Sequence, residues 1–317
     1  MRTILSSIAY ALVVLQKRRI PSHTFGDKPK RRFSNLIPDL FHSLSCILFE
    51  LISALSGSYY LKIMYDDGKA VGKLMPMMSR ETMTALVVAA HRREKQAVAH
   101  IMTFQQAWEV LEAGIDGLAH LFLDRSPDAA FGRFVVERRA FVIPTLAVLE
   151  SVCNRQGGAT LASDAFLLPY LSREDITSLQ RQLDDVSKMP GLRYAFAEEA
   201  IRQLREVGAR ILAGTDAPMP GTVHGVSLHR ELELLVNAGL ALMEALAAAT
   251  SLPAEAFGLQ DRGRIAPGLR ADLLLVEGDP GSDILATRHI RGVWKRGKPV
   301  DRSAYRARLG QAEDRDQ

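Results

Sequence analysis

From Tyr59 onward the sequence alternates between short apolar runs and longer segments whose apolar residues recur every three or four positions. The short runs have the length and composition of buried strands, and the longer segments have helical periodicity. The predicted strands are Tyr59–Met64, Ala97–Ile101, Gly117–Phe122, Phe141–Thr145 and Ile211–Gly214. Strands that alternate with helices in this way are typical of βαβ units. The sequence therefore predicts an α/β fold with a parallel sheet.

The helix boundaries are marked by capping residues. Ser79 is a predicted N-cap, and Thr103 with Gln106 forms a predicted capping box for a helix that stops at Gly114. A later helix is expected to place Phe196, Ala200 and Leu204 on one face. Between the fourth strand and this helix, residues 146–190 show no clear periodicity, which favours a looser stretch.

The two ends of the chain differ from this pattern. Residues 263–277 and 290–300 read as short strands separated by Pro and Gly turns, which indicates a small β-domain. Residues 1–58 carry eight Lys or Arg against three acidic residues, a net charge of +5, so the total of +4 leaves −1 for the remainder. We divide the chain into an atypical N-terminal segment (1–58), a barrel part (59–258), small β-domain strands (259–302) and a polar tail (303–317).

The composition excludes several classes of function. The basic N-terminal segment lacks interleaved aromatic residues, so we expect no nucleic-acid partner. Its apolar run at 4–15 is too short to span a bilayer, so no stable membrane span is expected. The two cysteines, Cys46 and Cys153, have no partner at metal-ligand spacing, which is consistent with a reducing, cytoplasmic location.

Polar side chains lie at or near the ends of the predicted strands. Lys62 interrupts the first strand, His100 and His120 lie at the second and third, and Asp216 follows the fifth. Parallel α/β enzymes place their chemistry at the carboxyl ends of strands. Taken singly, each residue has a simpler explanation: a turn residue for Asp216, a hydrogen-bonded core residue for a histidine, a paired or surface-reaching amine for Lys62. Together they indicate a site.

Two imidazoles and a carboxylate form a nitrogen and oxygen donor set that zinc accepts. A desolvated lysine can stay neutral and take up carbon dioxide as a metal-bridging carbamate. A weaker alternative treats residues 225–229 as a nucleophile elbow with Ser227 as nucleophile; His229 stands where that motif requires glycine.

Four segments carry a resemblance to the amidohydrolase superfamily, in particular its imidazolonepropionase-like and Xaa-Pro-dipeptidase-like members. They are YLKIMYDDG, AVAHIMTFQQAWEVLEAGIDGLAH, ILAGTDAPMPGTVHGVSLHRELELLVNAGL and GRIAPGLRADLLLVEGDP. The resemblance implies a (β/α)8 TIM-barrel type of fold, incomplete here, with a remnant of a small β-sandwich at the C-terminus.

The resemblance also implies site roles. It implies Lys62, His100, His120 and Asp216 as metal ligands, with Lys62 carboxylated and Asp216 as the catalytic proton shuttle. It suggests Tyr65, His224 and His229 as substrate contacts. The implied activity is hydrolysis of carbon–nitrogen bonds in a cyclic amide or a small peptide.

One family feature is missing from the sequence. The family opens its barrel with a His-x-His pair, and no such pair occurs among the eight histidines. We therefore interpret the chain as a family member without its first barrel units, and expect one divalent metal, zinc, where complete members hold two. Weak or absent activity is expected. The alternative is a non-catalytic fragment that acts as a binding module, and a homo-oligomer is an alternative to a monomer.

Overall fold

The structure is a computed structural model that describes residues 58–72, 74–181 and 191–315. The predictions for the apolar run at 4–15 and for Cys46, like almost all of the N-terminal segment (1–58), lie outside the described residues. Within them, a parallel five-stranded sheet is followed by a small antiparallel sheet and a terminal helix.

The parallel sheet confirms the βαβ prediction. Its strands run in sequential order, each bonded to the next. They are β1 (Tyr60–Met64), β2 (Gln96–His100), β3 (Gly117–Ala119), β4 (Phe141–Ile143) and β5 (Arg210–Ile211). Met64 pairs with His100 and His100 with Ala119, so the carboxyl ends of β1, β2 and β3 lie level. Among the described strands, none pairs with the outer edge of β1 or of β5.

Helices connect these strands and follow them. In chain order they are α1 (Arg80–His91), α2 (Phe104–Glu112), α3 (Phe131–Glu137), α4 (Leu146–Val152), α5 (Gly157–Ala162), α6 (Arg173–Gln180), α7 (Tyr194–Glu206), α8 (Val226–Asn237), α9 (Leu242–Ala248) and α10 (Ser251–Ala256). The Ser79 side chain accepts from Thr82 N–H at the start of α1, and Thr103 and Gln106 form the predicted capping box of α2. Gly114 then adopts φ +86°, which favours glycine.

The core lies between the sheet and the helices. In β1, Leu61 and Ile63 are fully buried while Lys62 between them is half-buried, because successive side chains of a strand point to opposite faces. Gly117 allows close strand packing, since an added Cβ would lie 2.2 Å from the Phe141 ring. Leu61 and Ile63 therefore face the surrounding helices, and Lys62 lies on the opposite face of the sheet.

The predicted strands are longer than the observed ones. β3 ends at Ala119, not Phe122, because His120 adopts φ +75° and leaves the extended conformation. β5 contains only Arg210 and Ile211. His120 and Asp216 therefore lie in the loops that follow these strands.

The stretch 146–190, predicted to be loose, contains α4, α5 and α6. These helices have six to eight residues, too short for a clear period in sequence. A Ser172–Asp175 capping box opens α6, and buried Glu231 accepts hydrogen bonds from Leu146 and Ala147 N–H at the start of α4. On α7, Ala200 and Leu204 are buried as predicted, whereas Phe196 is only half-buried.

The C-terminal part contains β6 (Leu273–Val276), β7 (Ile290–Lys295) and β8 (Lys298–Pro299) in an antiparallel sheet. A 3-10 helix at Ile284–Arg288 packs this part against α8. The predicted polar tail is helical, as α11 (Arg302–Arg315), in keeping with its Ala- and Arg-rich sequence. No helix in the described ranges is long and apolar enough to cross a membrane.

Candidate metal and active centre

The structure brings Lys62, His100, His120 and Asp216 together on the side of the sheet where the strands end. We call these four residues the strand-end cluster. The His100 and His120 rings lie 4.6 Å apart between centroids, in an edge-to-face arrangement. His120 Nε2 lies 4.0 Å from Asp216 Oδ2. The Lys62 charge acts on both His120 and Asp216, which places it in the same group.

The backbone at this cluster is strained. His120, Thr145 and Asp216 adopt φ values of +75°, +53° and +53°, although none is glycine. Such conformations cost of order 1–3 kcal/mol each and persist only where surrounding structure enforces them. Thr145 is the most unusual of the three because it is β-branched. These three strained residues therefore lie in the loops that follow β3, β4 and β5.

Each imidazole has one ring nitrogen engaged by a buried side chain. His120 Nδ1 lies 2.7 Å from Thr145 Oγ1, and His100 Nε2 lies 3.5 Å from Asp66 Oδ2. His120 Nε2 remains on the side of Asp216, and His100 retains Nδ1. Partners of this kind orient the imidazoles of metal sites.

The surroundings shift the pKa values of Lys62, His120 and Asp216 toward their neutral forms. Burial lowers the pKa of Lys62, against the opposing charge of Asp216. Burial holds the pKa of His120 well below its usual value, and the nearby His100 and Lys62 charges add to this. Desolvation raises the pKa of Asp216, although Lys62 and His100 oppose it. Its side chain stays 43% exposed and so remains accessible from solvent.

These donors suit a borderline divalent metal. A neutral imidazole, a neutral amine and a carboxylate are the forms in which such side chains act as ligands or accept carbon dioxide. In the described ranges, however, no three His, Cys, Asp or Glu side chains are arranged as a ready metal site. The chemistry of the donor set fits a metal, whereas its full ligand geometry is not formed.

Two of the three residues predicted as substrate contacts, Tyr65 and His229, form hydrogen bonds with residues outside the strand-end cluster. Tyr65 is buried and its hydroxyl donates to Glu109 Oε2 at 2.6 Å, and burial together with that carboxylate raises its pKa. His229 is 9% exposed, and its Nδ1 lies 3.0 Å from Thr287 Oγ1 in the contact between α8 and the 3-10 helix. His224 is exposed just before α8. A substrate role for these three stays a prediction.

The nucleophile-elbow alternative is wrong. Ser227 is fully buried in the first turn of α8, and its hydroxyl accepts a hydrogen bond from Val223 N–H at 2.8 Å. A nucleophile needs an exposed hydroxyl beside a base. Ser227 instead secures the loop that leads into the helix.

The sequence reasoning missed Asp66 and Thr145, the two side chains that hold the imidazoles. Asp66 lies two residues after the end of β1, and Thr145 lies two residues after the end of β4. The strand-end rule that selected His100 and His120 therefore applies to them as well. Their neighbours obscured them, since Asp66 lies in a polar run and Thr145 was assigned to a strand.

A comparison with known proteins shows the family of the chain. The family model described as the amidohydrolase family matches residues 68–301, more than half of the chain. An imidazolonepropionase of Deinococcus deserti is 40% identical over 103 residues, 31% of this chain and 26% of that protein. One from Cereibacter sphaeroides is 36% identical over 141 residues, 40% of this chain and 34% of that protein.

The fold has counterparts among solved structures. A Xaa-Pro dipeptidase with bound methionine in its active site superimposes with a TM-score of 0.62 at 22% identity. The match covers 81% of this chain and 58% of that protein. At this identity the likeness concerns the fold. The chain thus spans about a quarter to a third of the curated relatives and just over half of the structural one.

Proposed function

Because the chain belongs to the amidohydrolase family, we propose that it is a metal-dependent hydrolase of carbon–nitrogen bonds that acts on a cyclic amide or a small peptide. The observation that carries this proposal is the convergence of Lys62, His100, His120 and Asp216 at the strand ends. We further propose that one divalent ion, zinc, is held there by these four residues.

A bound divalent cation supplies Lewis acidity, which generates a hydroxide nucleophile from water near neutral pH. The chain's own residues prepare this step. Burial lowers the pKa of the Lys62 amine and so favours its neutral form, which can add carbon dioxide with loss of a proton to become a carbamate able to ligate metal. His120 is kept neutral by burial and is ready to bind through Nε2.

Asp216 is the proposed proton shuttle. Its raised pKa brings it closer to the operating pH, where a carboxylate can accept a proton from the attacking water and deliver it to the leaving amine. Its exposed side chain lies beside His120, at the edge of the cluster. No other carboxylate is found in the cluster within the described residues, apart from Asp66, which is buried against His100.

A non-catalytic binding module is the second candidate. It is favoured by the lack of a ready three-ligand group of His, Cys, Asp or Glu in the described ranges. The two functions differ in metal content and turnover. The test is metal analysis of the purified full chain together with an assay panel of dipeptides, hydantoins and lactams. Metal with turnover of any panel member supports the hydrolase, and a folded protein with neither supports the module.

A further inference from the structure

Asp66 is a buried carboxylate that the proposed reaction does not use. It is 4% exposed, yet it accepts two hydrogen bonds and lies beside the His100 ring. Its Oδ1 accepts from Gly68 N–H at 3.0 Å and from Gln106 Nε2 at 3.1 Å, and its Oδ2 lies 3.5 Å from His100 Nε2. A charge in such a place is retained only when it is well bonded. One of these contacts is to His100, a proposed metal ligand.

Gln106 has two tasks in this arrangement. Its Oε1 accepts from Met102 N–H at 2.8 Å and from Thr103 N–H at 3.0 Å, which completes the capping box of α2. Its Nε2 donates to Asp66. Glutamate closes a capping box as well as glutamine does. Only the amide, however, has a hydrogen to donate to Asp66, so the residue type serves the carboxylate as well as the helix.

The carboxylate determines which nitrogen of His100 carries the hydrogen. An ionised Asp66 only accepts, so His100 Nε2 must donate, and in the neutral ring Nδ1 then holds the lone pair. A carboxylate in this position also fixes the ring plane and makes the opposite nitrogen a better ligand. We propose that Asp66 is a positioning residue for His100 and that Gln106 holds Asp66 in that role. This inference rests on the proposed function, in which His100 binds the metal through Nδ1.

The test uses the full chain and a matched pair of variants. Gln106→Glu keeps the capping acceptor but removes the donor and places a second carboxylate against Asp66. Gln105→Glu makes the same change of charge one residue away, on an exposed side chain that contacts Glu109. Circular dichroism checks that both variants fold. In metal-free protein, long-range proton–nitrogen NMR reads the His100 tautomer, with the signal assigned by its loss in His100→Asn.

Zinc titration supplies the second measurement. We expect His100 to carry its hydrogen on Nε2 in the wild type and in Gln105→Glu. We expect Gln106→Glu to lose that preference and to bind zinc about 10- to 100-fold more weakly. The exchange of Asp66→Asn together with Gln106→Glu restores one donor–acceptor pair and should recover part of both losses.

The outcomes separate this inference from the proposed function. A wild-type hydrogen on Nδ1, or a Gln106→Glu variant that keeps both tautomer and affinity, overturns the positioning role. If the tautomer changes as expected while the wild type binds no zinc, the positioning of His100 stands and the proposed metal function fails.

Discussion

Two largely buried polar regions of the molecule are built on opposite principles. One is the strand-end cluster. The other is an ion-pair network, Glu150, Asp164, Arg230, Glu233 and Arg288, which joins α4, α8 and the C-terminal 3-10 helix. Both are mostly shielded from water, and both combine basic and acidic side chains. They differ in whether each charge has found a partner.

In the ion-pair network every charge is paired. Arg230 donates two hydrogen bonds to Glu150, at 2.9 and 2.8 Å, and Glu150 is 2% exposed. Arg230 also pairs with Glu233 at 2.7 Å, and Arg288 bridges Glu233 to Asp164. The Glu150 and Glu233 hydrogen bonds raise the pKa of Arg230, although burial opposes them. Such groups are locked in their charged forms and hold the architecture together.

In the strand-end cluster the same kinds of groups are pushed toward neutrality. Burial lowers the pKa of Lys62 and of His120, whereas desolvation raises that of Asp216. Groups whose pKa values have moved toward neutrality can exchange protons at working pH and bind metal. The two regions therefore differ less in burial than in how completely their buried charges are paired.

Asp216→Asn, in the strand-end cluster, has the largest expected effect of the variants, and the effect is on activity. We expect kcat/KM on the best substrate of the panel to fall about 100- to 10,000-fold, because general acid–base catalysis contributes that much. Stability should change little, since the side chain is 43% exposed and its contact with His120 Nε2 is 4.0 Å long. Steady-state kinetics and thermal denaturation check this, with exposed Asp261→Asn as control. Full activity in Asp216→Asn would remove the residue from the mechanism.

Arg230→Met tests the ion-pair network. Removing the arginine leaves Glu150 buried without its main partner, which costs about 3–5 kcal/mol of unfolding free energy. Arg205→Met, which breaks an exposed pair with Glu244, should cost about 1 kcal/mol or less. Urea denaturation measures both, and zinc binding should persist in folded Arg230→Met. Equal losses in the two variants would contradict the claim that the network is structural.

The pH dependence of stability tests the burial of His229. Burial, with help from Arg288, lowers its pKa to about 4. The folded protein keeps the imidazole neutral while the unfolded chain protonates below about pH 6.5. The unfolding free energy should therefore fall as pH drops from about 6.5 to about 4, by a few kcal/mol at most. His229→Asn, which can keep the bond to Thr287, should show a shallower fall, and identical pH profiles would refute this assignment.

Lys62→Met has the smallest expected effect on stability. The variant removes an amine that is costly to bury and keeps the apolar stem, so the unfolding free energy should stay within about 1 kcal/mol of wild type or rise. Zinc affinity should nevertheless fall. Lys69→Met, on an exposed lysine paired with Asp67, is the control and should leave the affinity unchanged. A large loss of stability would show that Lys62 has a structural role instead of a role in the proposed site.

The sequence predicted the strand-end cluster because short apolar runs show which segments are strands, although not their last residues. N-cap residues such as Ser79 and Thr103 show where the next helix begins. Once the strands are parallel and in register, their terminal residues meet. Lys62, His100, His120 and Asp216 could therefore be grouped from sequence alone.

The ion-pair network and the supporting shell could not be predicted in the same way. Arg230 and Glu150 are 80 residues apart, and Arg288 reaches Asp164 across 124 residues. Helix α4, too short for periodicity, begins at backbone groups that Glu231 caps from α8. These contacts depend on how distant helices pack, which local patterns do not encode. The same limit hid the exposure of β6, in which the three leucines at 273–275 are 37–53% exposed.

The most direct test of the central claim is the metal content of the dialysed full chain, compared with that of a His100→Asn, His120→Asn double variant. The strand-end cluster predicts at most one tightly held zinc ion per wild-type chain and close to none in the double variant, with both proteins folded. Two ions that resist dialysis, or equal metal in both proteins, would contradict the account, because the metal would then depend on residues outside the cluster.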